Sequence, residues 1–293
     1  LKLMIDMAHQ NNIAVLMDVV FDHLWGSSPL FQLYQPSNNY EWSDHDYNNC
    51  PYFDDIGEEW EWGYKLNHWK ERTRKHIDDI IYHWINEYHI DGFRFDYTNG
   101  IGWDPSSQFG ANHYANMLTD QSLILIAEED NAYQINNSNF DAGWDYTYHH
   151  MMLANLGSFN HDGHIYGDMD DLASHIDAYS QGYNEHTGQL IYTESHDEER
   201  IVYECIEFQD YSIEEGYNIS KLGMVVLMTS EGTPMIYQGQ EFGQSSITSH
   251  LEPQPLQWNN LNTELGSDLF HSYSTMIDLR KNRIALKENN LVV

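Results

Sequence analysis

Apolar positions along the chain alternate between two periods. Leu1, Met4, Ile5 and Ala8 fall on one helical face, and Ile13 to Val20 follows as a short apolar run of the kind that forms a parallel strand buried on both faces. Ile77, Ile80, Ile81, Trp84, Ile85 and Tyr88 again share a helical face, and Ile90 to Asp96 then reads as a strand. The alternation continues with a helix over Ala111 to Asp120, a strand over Leu123 to Glu128 and a weaker strand over Phe140 to Trp144. A polar, Gly-containing passage leads to a helix at Leu172 to Tyr179. A strand at Leu190 to Thr193, a helix interior at Leu222 to Met228, a strand at Pro234 to Tyr237 and a helix from Tyr273 to Leu286 complete the pattern. Strands separated by helices require a parallel sheet with right-handed crossovers. No Gly-rich phosphate turn follows any strand, which favours a barrel over a doubly wound nucleotide fold.

Between Leu24 and His68 no period is sustained, and Gly, Pro, Asn, Trp and Tyr are frequent; 24–68 is expected to be an inserted loop subdomain. Composition narrows the partners. A net charge of -33, from 46 acidic and 13 basic residues, repels nucleic acid and anionic membranes, so neither is expected as a partner. Aromatics at 14% suit stacking on sugars as well as core filling. Cys50 and Cys205 are too few for a disulfide scaffold, and no run is apolar for long enough to span a bilayer.

Chemistry concentrates at the strand ends. In Asp91-Gly-Phe-Arg-Phe-Asp96 alternate side chains share a face, so Arg94 and Asp96 point one way and Phe93 and Phe95 the other. An arginine beside a carboxylate favours its ionised form, which suits Asp96 as a nucleophile or metal ligand, although a structural ion pair uses the same residues. Glu128 ends the otherwise apolar strand Leu-Ile-Leu-Ile-Ala, where desolvation would favour the protonated form of an acid catalyst. Glu129, next in chain, would point the other way as a solvated or hydrogen-bonded bystander. His149 and His150 lack the spacing of a zinc motif and read as surface or packing residues.

Four strings carry a resemblance: Asp18-Val-Val-Phe-Asp-His23, Gly92-Phe-Arg-Phe-Asp96, Ile126-Ala-Glu128 and Ser195-His-Asp197, in this order. Together they resemble the conserved regions of the α-amylase family, glycoside hydrolase family thirteen. The resemblance implies an α/β fold of the (β/α)8 TIM-barrel type and a retaining glycosidase acting on α-1,4-linked glucans without a required cofactor. It makes Asp96 the nucleophile, Glu128 the general acid/base and Asp197 a third carboxylate that grips ring hydroxyls. Arg94, His23 and His196 would line the same subsite, and Asp18 would orient the arginine. Asp22 stands where the family usually carries Asn; it is the candidate for a structural calcium ion, and no other metal ligand is expected.

The six strands legible from Ile13 onward compare with eight in a closed barrel. The expectation is therefore a barrel spanning 1–286 that lacks its first two βα units, with 287–293 opening a further C-terminal region. Segments such as Tyr237-Gln-Gly-Gln-Glu-Phe-Gly243 and Leu256-Gln-Trp258 are similar to glycogen branching enzymes. Glu194-Ser-His-Asp-Glu-Glu-Arg200 and Ser27-Ser-Pro-Leu30 look more like α-amylase-type hydrolases. Hydrolysis is the favoured reading, glucan branching the alternative, and a non-catalytic glucan-binding relative a lesser one. Location follows the choice: secreted or periplasmic for an amylase, cytoplasmic for a branching enzyme.

Overall fold

The computed structural model describes residues 1–34, 51–53, 63–157, 163–248 and 253–286. Its strands are β1 (Leu16–Val19), β2 (His23–Leu24), β3 (Tyr64–Lys65), β4 (Gly92–Phe95), β5 (Ile124–Ala127), β6 (Ala142–Trp144), β7 (Gln189–Ile191) and β8 (Thr233–Pro234). The chain forms two compact units, Leu1–Gly143 and Trp144–Val293.

In the first unit β1, β4 and β5 are neighbours in parallel register, Asp18 opposite Arg94 and Arg94 opposite Ile126; Ala142 and Gly143 of β6 then pair with Ile126 and Ala127. The crossover from β1 to β4 includes the helix Glu71–His83, whose Ile77 and Ile81 are buried as their spacing requires. The helix runs on into a π turn at Trp84–Tyr88 and stops where His89 takes a left-handed conformation, φ 56°. β4 is buried at every position, and Phe95 packs among Phe21, Tyr114 and Phe140 with ring centroids 5.4 to 6.3 Å apart. Fully burying such rings contributes roughly 1.5–3 kcal/mol each, which anchors the strand that carries Arg94.

β1 is less buried than the apolar run suggests: Leu16 and Met17 are half-buried, and Ile13, Asp18 and Val20 are exposed. Among the described residues it pairs only with β4, so one edge is uncovered. Within the segment expected as an inserted subdomain, antiparallel β2 and β3 close its base, and Phe31 stacks on Tyr64 at 3.7 Å beside Phe53. Most of the remainder of that segment, like 287–293 and Cys50, lies outside the described residues.

In the second unit β7 and β8 are parallel. Its core gathers Tyr148, Met151, Met152, Ile191, Val202, Met224, Leu227, Leu269 and Tyr273. The helix Ile213–Thr229 starts at a reciprocal cap: Ser212 accepts from the Glu215 N–H, and the Glu215 carboxylate accepts from the Ser212 N–H. A helix at Tyr146–Gly157 occupies part of the passage read as polar. Eight of its twelve residues are buried, so the stretch shows no one-sided apolar stripe to recognise. Among the described residues no helix is long and apolar enough to cross a membrane.

Candidate active site

The parallel register of the first unit sets the site. Because Phe95 pairs with Ala127, the next residues on the two strands, Asp96 and Glu128, stand at the same level just past the strand ends. Backbone bonds continue the ladder there: Asp96 N–H donates to Val19 O and Glu128 N–H to Phe95 O, each at 2.9 Å. Neighbouring strands lie about 4.8 Å apart, so two side chains leaving at one level on one face begin within reach of each other.

Arg94 joins them. Its guanidinium is buried, 6% exposed, and Nη1 donates to Asp18 Oδ1 at 2.9 Å and to Asp96 Oδ1 at 2.6 Å, while Nη2 lies 2.9 Å from Glu128 Oε1. Burial works against its charge, but Glu128, Asp18 and Asp96 outweigh it and hold its pKa above the usual arginine value. Asp96 and Glu128 are partly open, 22% and 25% exposed, so both carboxylates are accessible.

The setting of Glu128 differs from the apolar one its strand suggests. Its carboxylate sits between Arg94 and the Tyr97 N–H, which donates to Oε2, while Thr98 Oγ1 donates to its backbone carbonyl at 3.2 Å. Tyr97 adopts φ 40° and ψ 60°, a left-handed conformation that costs a non-glycine residue on the order of 1 kcal/mol. The strained residue is the one whose N–H reaches the carboxylate. Glu129 is the hydrogen-bonded of the two bystanders expected, not the solvated one: it is buried, accepting from Asn131 N–H at 3.0 Å and Trp103 Nε1 at 3.2 Å, and burial raises its pKa.

Asp18, Arg94, Asp96 and Glu128 are thus brought together, whereas His23 turns its Nδ1 to the buried Asp22, 3.3 Å from Oδ2. Lys65 Nζ lies 3.9 Å from Asp22 Oδ1 and supplies the positive charge that a calcium ion would bring. Among the described residues no group of three His, Cys, Asp or Glu side chains includes Asp22. In the second unit, His196 Nε2 lies 3.1 Å from Asp197 Oδ2, and the Asp197 N–H donates to Ser195 Oγ at 3.2 Å. The preceding Glu194 is fully buried against Arg200, 3.3 Å away, and burial pushes its carboxyl up to about 7 against the arginine's pull. Arg200 in turn lies over the Tyr237 ring at 4.3 Å.

Parallel strands alternating with helices, with carboxylates gathered by an arginine past the strand ends, define an α/β protein of the TIM-barrel class. Residues 1–268 match the family described as alpha amylase, catalytic domain, and the chain belongs to that family. It is similar to a malto-oligosyltrehalose trehalohydrolase of Saccharolobus solfataricus, 25% identical over 278 residues that cover 83% of this chain and 45% of the relative. A maltogenic alpha-amylase of Bacillus acidopullulyticus is 25% identical over 308 residues, 99% of this chain and 49% of that protein. Among solved structures, the type III pullulan hydrolase of Thermococcus kodakarensis superposes with a TM-score of 0.77 at 21% identity, over 99% of this chain and 51% of that one. The cyclic alpha-maltosyl-(1→6)-maltose hydrolase of Arthrobacter globiformis, in complex with maltose, gives 0.73 at 19% identity, over 98% and 64%. The chain spans about half the length of the curated relatives it matches.

Proposed function

We propose that the protein is a retaining glycoside hydrolase acting on α-1,4-linked glucans. The observation that carries the reading is one guanidinium shared by Asp18, Asp96 and Glu128, with the last two at the same level on neighbouring strands. Both carboxylates bond to the same guanidinium, and neighbouring strands about 4.8 Å apart favour the short separation, about 5–5.5 Å, that retaining glycosidases use.

In this reading Glu128 gives a proton to the glycosidic oxygen as Asp96 attacks the anomeric carbon. The C–O bond to the leaving sugar breaks and a covalent glycosyl ester forms. Water, deprotonated by Glu128, then displaces Asp96 from the anomeric carbon; the sugar leaves, Asp96 is again a carboxylate and Glu128 again carries its proton. To meet the glycosidic oxygen, Glu128 exchanges a partner such as Arg94 or the Tyr97 N–H for substrate. Arg94 keeps Asp96 oriented and charged, and Asp18 holds the far side of the guanidinium. The family resemblance assigns substrate contacts to Asp197, His196 and His23, and a glucan as the ligand.

Incubation of the whole protein with amylose tests the proposal. New reducing ends, reduced at least about 10²-fold by Asp96→Ala and by Glu128→Gln, are expected. Loss of iodine colour without new reducing ends would mean transfer between chains, the branching reaction. Retention of more than about a tenth of the rate in either variant would reject the assigned roles.

A further inference from the structure

The catalytic reading leaves a second cluster unused. His149 is fully buried on the helix Tyr146–Gly157, with its ring stacked on Tyr192 at 5.4 Å and 18°. Its Nδ1 lies 3.1 Å from Thr193 O. A carbonyl only accepts, so Nδ1 carries the hydrogen, and in the neutral ring Nε2 presents a lone pair. That lone pair faces another acceptor, Glu198 Oε2, at 3.3 Å. Two acceptors so close repel each other unless a cation lies between them.

The spacing is that of a metal site. One ligand atom each from His149, His150 and Glu198 lie within 4.8 Å of one another. Two ligands about 2.0–2.1 Å from a tetrahedral zinc ion are about 3.4 Å apart, so the His149–Glu198 edge already has the right length. The half-buried His150 offers the third ligand atom within the same 4.8 Å. The Thr193 carbonyl on the far nitrogen of His149 is the kind of outer partner that fixes a ligating imidazole. Acidic neighbours add a favourable field: burial and then Glu199 push Glu204 up, His149 pulls it down, and Glu198 raises it.

We propose that His149, His150 and Glu198 bind one divalent transition-metal ion, zinc by donor type, with a coordination position left open. The site does not rest on the catalytic reading. Its consequence is local: Glu198 follows Asp197, so a bound ion fixes the turn that carries Ser195 to Glu198. The competing occupant is a proton, giving an imidazolium–carboxylate pair.

The test uses the whole protein, stripped with a chelator and titrated with zinc against a chromophoric competitor. Excess magnesium occupies the generally acidic surface during the titration. One zinc per chain is expected, bound at least tenfold more weakly by His150→Ala and by Glu198→Gln, with circular dichroism confirming that both fold. These positions are half-buried and spare the fully buried His149. Cobalt in the unaltered protein should give the strong visible bands of a low-coordinate ion, a readout that stands even if a variant fails to fold. Equal zinc affinity in parent and both variants, or the weak spectrum of hexahydrated cobalt, would overturn the site and leave a proton between His149 and Glu198.

Discussion

Replacing Arg94 with methionine removes the guanidinium from three carboxylates while keeping an unbranched side chain of similar reach. Asp18 is 55% exposed and readily regains water, so its contact contributes little. Asp96 and Glu128 are about three-quarters covered, and hydrogen bonds to charged groups in such settings contribute about 1.5–3 kcal/mol each. The expected loss at neutral pH is therefore about 3–5 kcal/mol, the range seen when one partner of a buried ion pair is removed. Mutual repulsion has a similar size: two carboxylates about 5 Å apart at an effective dielectric constant near 20 repel by about 3 kcal/mol. Protonation of one relieves it, so the deficit should fall to roughly half at about pH 5. Urea denaturation of parent and Arg94→Met, followed by circular dichroism at about pH 7.5 and about pH 5, reads both quantities. A change below about 0.5 kcal/mol, or one equal at the two pH values, would refute the argument that Arg94 balances this charge cluster.

Two further substitutions probe the scaffold. A Cβ at Gly92 would lie 2.0 Å from the Ile124 carbonyl of the paired strand, backbone that cannot move aside, so Gly92→Ala should lower stability by about 2–4 kcal/mol in urea; a loss under about 1 kcal/mol would contradict this close approach of β4 and β5. His68 is buried, with its Nε2–H donating to Phe21 O at 2.9 Å and its Nδ1 accepting from Tyr114 Oη at 2.8 Å. Burial lowers its pKa from 6.5 to about 4. The unfolded chain therefore takes up this proton first, and the contribution, complete above pH 6.5, is lost as pH falls toward about 4. His68→Gln should lose about 2–3 kcal/mol less than the parent between about pH 7 and pH 4.5, and equal losses would exclude a buried neutral imidazole.

Local patterning accounts for much of the fold and of the site. Alternation along Phe93, Arg94, Phe95 and Asp96 was enough to place the arginine with the aspartate, because a strand sorts side chains by parity whatever its neighbours are. What it could not supply was the register between strands. The pairing of Phe95 with Ala127 sets Glu128 beside Asp96 and within reach of Arg94, so the carboxylate has a charged partner where its own strand suggested only apolar neighbours. The helix Tyr146–Gly157 escaped notice for a related reason: burial on most sides erases the one-sided stripe by which helices are recognised. His149, read as a surface or packing residue, is buried in the packing; its contacts with Thr193 and Glu198, more than forty positions away in sequence, are beyond any local pattern. The exposed residues of β1 reflect the absence of a described partner along one edge, which no local pattern reveals.

The central claim is that Asp96 is the nucleophile of a retaining reaction, and covalent capture tests it most directly. Treatment of the whole protein with a fluorinated α-glucosyl donor, whose ester hydrolyses slowly, followed by peptide mass spectrometry, should find one sugar attached at Asp96. Label on another carboxylate, or turnover of substrate with no trapped ester, would contradict the account.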